Sequence, residues 1–510
     1  MAYDFGVKKK DASHPGRADE AAARSEPAPI APEAESLPEE EEDGRSLMTR
    51  LKPHDQLVFG DDIWSNPVPL AAEKREGHLY VTFENDRGQR FTLDEKALSK
   101  HLLLLGGIGS GKTNIFRFIL ESLLRKQEPE DIIFIFDTKK DFYETFYQPW
   151  NPDHVLIGNA EQFADLTRSW NVFGEIEGIP GDFRRIDEFT AKEIGKQFFA
   201  GRGSENQPFF ELSSADLVSK VMIDFERRAR DTGDRSELNN RALVKWLKKA
   251  KFGDYMDLLG RHPDFVSAQL YFGDPDAGSK QKLTPQALGV FGYINSMVSD
   301  LLTGIFEDPA PGGEFSMRKL VRDRGRDGGK TVVFIEYDLS VGEVLGPMYR
   351  LLIDLALKEA LGQNGEKRGN VVFLIDEFKL LPNLMHIADA LNFGRSLGVK
   401  VIAGLQCIDQ IYAAYGEEQG RSILSGFMNC FCLQTPDSNT RRYAMERFGE
   451  NFTQMDYRSK GVPQSYQRQG HVIEDWDLLR LDIGQAAVDL NGERPFVFRF
   501  ADFDKPHSIL

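Results

Sequence analysis

Residues 106–113 read GGIGSGKT, and they constrain this chain more tightly than any other stretch. They fit G-x-x-x-x-G-K-[ST], the loop that cradles phosphates. The flanks supply the context that pattern needs. Residues 101–105 (HLLLL) are a short apolar run of the kind that makes a buried strand, and 114–125 (NIFRFILESLLR) carry apolar residues at helical spacing. Gly106, Gly107, Gly109 and Gly111 let the backbone through Ile108 and Ser110 bend until successive N–H groups face one anion. A helix beginning near Lys112 adds its positive end. Lys112 is placed to neutralise β- and γ-phosphates and the Thr113 hydroxyl to hold Mg²⁺, so the expected ligands are ATP and Mg²⁺.

Two acids far downstream sharpen this expectation. Residues 371–377 (VVFLIDE) form an apolar strand ending in Asp376 and Glu377. In P-loop ATPases the first acid holds the metal's water shell and the second polarises the attacking water. A strand beside the P-loop strand would deliver both carboxylates to the γ-phosphate. Gln406 ends the next strand, 400–405 (KVIAGL), thirty residues after Asp376. An amide there can bond the γ-phosphate or the lytic water without adding charge. Arg395 lies between them, in NFGRS. A guanidinium at a subunit boundary can neutralise charge developing on a neighbour's γ-phosphate; a structural ion pair is the other reading. No rival catalytic pattern competes. There is no G-x-S-x-G elbow and no H-E-x-x-H helix, and the nine histidines, His386 and His471 among them, are scattered without ligand spacing.

The remaining chain predicts an α/β architecture. Apolar strand runs at 131–136, 154–157, 331–337, 370–375, 400–405, 430–434 and 494–500 alternate with helical patterns, as in a parallel sheet covered by helices. Asp137 and Lys139, in DTKKD after the second strand, face either a nucleotide, a neighbouring subunit, or solvent in an ordinary turn. Strand runs vanish over 205–305, where helical patterns dominate. Arg241, Lys245, Lys248, Lys249 and Lys251 form a basic helix, and 318–330 a basic turn; each reads as a nucleic-acid contact or as a solvated face. The expected fold is a P-loop NTPase (RecA-like) parallel sheet with an inserted all-helical domain and a small N-terminal β lead-in. Its expected divisions are an acidic tail at 1–47, the first part of the nucleotide-binding domain at 48–204, the helical domain at 205–310 and the second part at 311–510.

Charge and cysteine content bound the setting. Net charge is −17, of which residues 1–45 carry −6 and the remainder −11. An acidic protein can still bind DNA through a local basic surface, such as a pore lining. No run of about 18 apolar residues predicts a membrane span. Cys407, Cys430 and Cys432 read as reduced core thiols. A cytoplasmic setting is expected.

The motifs together resemble the coupling-protein ATPases of type IV secretion and conjugation, within the wider HerA/FtsK class of DNA-pumping motors. The resembling blocks are HLLLLGGIGSGKT, FDTKKDFYETF, SWNVF, VVFLIDEFKLLPNL and GRSLGVKVIAGLQCIDQIYAAYG, with EDWDLLRLDIGQAAVD near the end. The spacing of Asp376, Arg395 and Gln406 is similar to that family's metal acid, trans arginine and sensor glutamine. The resemblance implies a homo-hexameric ring that binds ATP between subunits and moves single- or double-stranded DNA, with a relaxase or secretion-channel proteins as further partners. Many coupling proteins begin with membrane-spanning helices, whereas this chain begins with an acidic tail. That departure implies a soluble variant, peripheral to the inner membrane through a partner. It also leaves open a cytoplasmic motor in anti-phage defence or chromosome handling, and a nucleotide-gated adaptor for protein cargo.

Overall fold

The computed structural model describes residues 55–63, 76–85, 87–179, 182–202, 208–265, 284–362, 368–459 and 462–504; the expected acidic tail at 1–47 lies outside them. Nine strands make the central sheet: β1 (Leu102–Leu105), β2 (Ile132–Asp137), β3 (His154–Gly158), β4 (Thr331–Glu336), β5 (Val371–Ile375), β6 (Val399–Leu405), β7 (Asn429–Leu433), β8 (Gln485–Asp489) and β9 (Phe496–Arg499). Their order is β9-β8-β7-β1-β6-β5-β2-β4-β3. Every pair from β7 to β3 is parallel, while β7–β8 and β8–β9 are antiparallel. The expected α/β sheet is therefore present, with an antiparallel edge. Six residues separate β8 from β9, too few for the crossover that a parallel pair requires.

The parallel strands read as continuous apolar runs because both of their faces are covered. Alternate residues go to opposite cores. Leu103, Phe134, Phe373 and Val401 face one apolar cluster, shared with the long helix Gly342–Leu361 and the helices before it. Leu102, Ile133, Val372 and Ile402 face the other, shared with Ile115, Phe116 and Ile119 of the helix Lys112–Lys126. Phe134 and Phe373 stack across β2 and β5 with ring centroids 5.1 Å apart.

The hairpin Val81–Glu84 and Arg90–Leu93 does more than lead into the P-loop strand. Its Phe83 and Phe91 pack edge-on against Phe431 of β7, Phe496 and Phe498 of β9, and Phe500, sealing the antiparallel edge. Asp55–Gly60 belongs elsewhere, in a three-stranded antiparallel sheet with the ribbon Glu450–Ser459 and Val462–His471. Few large aliphatics mark that ribbon in the sequence, so periodicity did not reveal it. Helices occupy the expected stretch between β3 and β4. They are Phe209–Thr232, Asn240–Lys249, Phe252–Arg261 and Pro285–Leu301, preceded by Glu188–Phe199 packed on Phe209–Thr232.

The two basic stretches are largely committed within the fold. Arg318 and Arg322 both pair with Glu359, and Arg318 also with Asp187 at 2.9 Å. Lys319 pairs with Glu177, and Arg324 donates to backbone carbonyls of Glu130, Val321 and Arg368. On the basic helix, Arg241 meets Asp308 at 2.8 Å and Lys248 meets Glu307 at 3.4 Å. The turn 318–330 is a structural hub, and two of the five basic residues read in the helix, Arg241 and Lys248, are paired with acids.

One strand end is costly. Glu336 closes β4 at 2% exposure beside Asp137, its register partner on β2. Neither of its carboxyl oxygens has a hydrogen-bond partner among the described residues. Burial, reinforced by Asp137, pushes its pKa up to about 9. The folded chain therefore holds a proton there that the unfolded chain releases once pH passes the ordinary glutamate range. Stability contributed by this group is full at acid pH and falls as pH rises toward about 9, with a slope near 1.4 kcal/mol per pH unit. Denaturant unfolding between pH 6 and 8 should show wild type losing stability, and Glu336→Gln losing markedly less.

Candidate nucleotide site

The loop 106–111 leaves β1 and turns into the helix Lys112–Lys126. Gly109 and Gly111 take φ of +74° and +105°, which side-chain-bearing residues rarely adopt. A Cβ on Gly111 would also lie 3.0 Å from the backbone of Gly484. The loop is braced from three directions. Gly106 N–H donates to the Leu405 carbonyl of β6 at 3.1 Å, Gly107 N–H to Gln434 at 2.9 Å, and Gly484 N–H to Ser110 at 2.9 Å. Ser110 Oγ closes the loop on Gly107 O at 2.8 Å. The helix has no side-chain cap at Gly111 and no acid in its first turn, so its N-terminal N–H groups stay available to an anion. Lys112 Nζ lies back over the loop and donates to the carbonyls of Gly106 and Gly107 at 2.5 and 3.0 Å. Burial lowers its pKa, opposed by the charges of Glu377 and Asp376. Thr113 follows on the first turn of the helix.

The acids stand one strand further away than their spacing suggested. β6, not β5, flanks the P-loop strand, with Leu405 paired to Leu105; β5 lies beyond, with Ile375 paired to Ala403. Parallel register aligns all three carboxyl ends, so the residue that follows β6 stands between the loop and the acids. That residue is Gln406. Its Nε2 donates to Glu377 Oε2 at 2.5 Å, and Glu377 Oε1 is buried without a hydrogen-bond partner among the described residues. Asp376 is 5% exposed. Burial pushes its pKa up to about 6, with the charge of Lys139 acting most strongly against that rise. The carboxyl edge thus gathers Lys112, Asp376, Glu377 and Gln406 around the loop.

Arg395 is not part of this cluster. It lies in the 3₁₀ turn Gly394–Leu397 that precedes β6, at the amino edge of the sheet near Lys100. The seven residues of β6 put about 20 Å between that edge and the loop. Its side chain is exposed and has no ion pair among the described residues. Asp137 does not face a ligand either. Its buried carboxylate accepts the backbone N–H groups of Lys139, Phe142 and Tyr143 and so shapes the turn after β2.

Sequence reasoning missed the braces. Gln434 acts through its backbone carbonyl, which no side-chain pattern reveals. Gly484 offered a faint signal, a glycine after Asp482-Ile483 just before an apolar run, and it proves to have φ of +76°. The three cysteines are free thiols, with Cys430 and Cys432 buried in β7.

The model of the family described as type IV secretion-system coupling protein DNA-binding domain matches residues 91–256 and 278–473. The chain is 21% identical over 353 residues to the coupling protein TraD of Escherichia coli, covering 69% of this chain and 44% of that protein. It is 26% identical over 175 residues to the conjugal transfer protein TraG of Rhizobium radiobacter, covering 33% of this chain and 27% of that one. The chain thus spans less than half the length of these relatives. Among solved structures, the unbound monoclinic form of the bacterial conjugative coupling protein TrwBdeltaN70 superposes with a TM-score of 0.66 at 20% identity, covering 88% of this chain and 96% of that one. The central sheet, its helical region and the matched segments agree, and the chain belongs to the type IV secretion-system coupling protein DNA-binding domain family.

Proposed function

We propose that this chain is the ATP-hydrolysing core of a DNA-translocating ring, the coupling ATPase that delivers DNA or a relaxase–DNA complex to a type IV conjugation apparatus. The observation that carries the reading is the Gln406–Glu377 hydrogen bond at the carboxyl edge, flanked by Asp376 and Lys112. Backbone N–H groups of 106–113 hold the triphosphate, and Lys112 exchanges the carbonyls of Gly106 and Gly107 for β- and γ-oxygens. Glu377 uses its unpartnered oxygen to orient and polarise the attacking water, while Gln406 fixes the other oxygen and senses the γ-phosphate.

The donor set fits Mg²⁺. Thr113 offers a hydroxyl and Asp376 a buried carboxylate to which no cation is bonded among the described residues. No group of three or more His, Cys, Asp or Glu among the described residues could hold a metal alone. The ion would therefore be held jointly with phosphates, as Mg²⁺ usually is. When bound, Mg²⁺ would neutralise the negative charge of the phosphates. TrwB has been solved with ADP and Mg²⁺ and with a non-hydrolysable ATP analogue, which supports the same pair of ligands here.

Arg395 stands too far from its own loop to serve it and has no ion pair among the described residues, so in this reading it reaches the γ-phosphate of an adjacent subunit. That requirement favours a ring, and a homo-hexamer is the assembly we propose, with DNA in its channel. The helical region 205–310 is read as a domain inserted between the two parts of the nucleotide-binding domain. No helix among the described residues is long and apolar enough to cross a membrane. Association with the inner membrane is read as running through relaxase or secretion-channel partners.

Steady-state ATPase assays with and without single- and double-stranded DNA test the reading. Glu377→Gln should keep nucleotide affinity and lose about a hundredfold or more in kcat. DNA-stimulated activity that survives the substitution undiminished would sink the assigned role, and a wild type indifferent to DNA would fit a cargo adaptor instead. Lys112→Ala and Arg395→Ala chains should each be inactive alone and recover part of the activity when mixed, since some interfaces then keep both groups. Mixtures that stay inactive count against a trans arginine.

A further inference from the structure

Lys139 is a cation with no role in the site as described above. It follows β2 in a turn whose shape is fixed by Asp137: Oδ1 accepts the Lys139 N–H at 3.0 Å, and Oδ2 accepts those of Phe142 and Tyr143 at 2.8 and 3.2 Å. Lys140 takes a φ of +67°, and its Nζ turns away to Gln162 at 3.1 Å. The neighbouring lysines are thus sent in different directions by a rigid turn. Lys139 is exposed, and its ammonium has no hydrogen bond or ion pair among the described residues.

Its place in the sheet is informative. β2 lies next to β5, and Asp376 N–H donates to the Phe136 carbonyl at 3.3 Å, so the turn stands beside the acids. The charge of Lys139 is felt at Asp376. Lys139 also acts on Lys112 itself. Across the order β1-β6-β5-β2, the loop is at one end, Gln406, Glu377 and Asp376 lie in the middle, and Lys139 is at the other end. Two lysines therefore bracket the pair of carboxylates. A triphosphate seated in the loop with its last phosphate directed at the acids would run across β6 toward β5 and bring that phosphate nearest β2. A diphosphate stops short of it.

We propose that Lys139 contacts the γ-phosphate and adds, beside Gln406, to the preference of this chain for a nucleoside triphosphate over a diphosphate. The inference rests on the nucleotide reading above. A free ammonium on a long stem suits this task, since it is a compact charge that can swing from the acids to an arriving phosphate oxygen. The substitution is safe for folding because the side chain is exposed and the turn is held by Asp137 and backbone groups.

Equilibrium binding of a non-hydrolysable ATP analogue and of ADP, each with Mg²⁺, to the full chain tests this. Lys139→Ala should weaken the ATP analogue by about tenfold or more and leave ADP within about twofold. Lys139→Arg should restore most of the preference, with thermal melting unchanged in both variants. Equal losses for the two nucleotides, or no loss for either, would overturn the assignment while leaving the nucleotide reading intact. A wild type that binds neither nucleotide overturns both.

Discussion

Parallel register is the constraint on which the rest of this structure depends. Hydrogen bonding of β6 to both β1 and β5 brings their carboxyl ends level, and β2 extends the same edge by one strand. The loop, Gln406, the two acids and Lys139 are distant in sequence, yet each sits at the end of one of these strands. No contact among the site residues themselves would hold them together. Burial of apolar side chains on both faces of the sheet does so, because a strand packed on two sides cannot slip without exposing a core.

Charge is handled in two distinct ways. Away from the site, basic groups are spent on internal acids, as the network around Glu359 illustrates. Glu175 accepts hydrogen bonds from Trp170, Ser316 and two backbone N–H groups, and Arg318 braces the same helix start. At the carboxyl edge the opposite holds. Asp376 and Glu377 are buried side by side, and among the described residues Glu377 keeps one oxygen unbonded and Glu336 has no hydrogen-bond partner. Stability is given up where carboxyl groups crowd this edge, the pattern expected of a functional site rather than of a resting core.

Legibility from sequence varied with the kind of signal. The P-loop was legible because glycine conformations, the lysine and the following helix are all local. Asp376, Glu377 and Gln406 were legible as strand ends because buried strands carry unbroken apolar runs. Which strand neighbours which was not, since hydrophobicity says that a strand is buried without saying beside what; hence the expectation that the acids adjoin β1, where β6 stands. The ribbon Glu450–Ser459 and Val462–His471 escaped notice because it is largely polar. The basic stretches could not be interpreted alone, since the acids that pair with them lie at Glu177, Asp187, Asp308 and Glu359.

The sequence by itself determined that the chain folds as an α/β P-loop protein and which residue types stand ready at its strand ends, because backbone conformation and burial are written in local patterns. Only the tertiary structure decided that Gln406 grips Glu377, that Gly484 and Gln434 brace the phosphate loop, and that Arg395 stands about 20 Å from its own site. The reason is physical. Strand order and register arise from long-range packing of two apolar faces, and the part of the Gly106–Thr113 site that lies outside the loop exists only once that packing has formed.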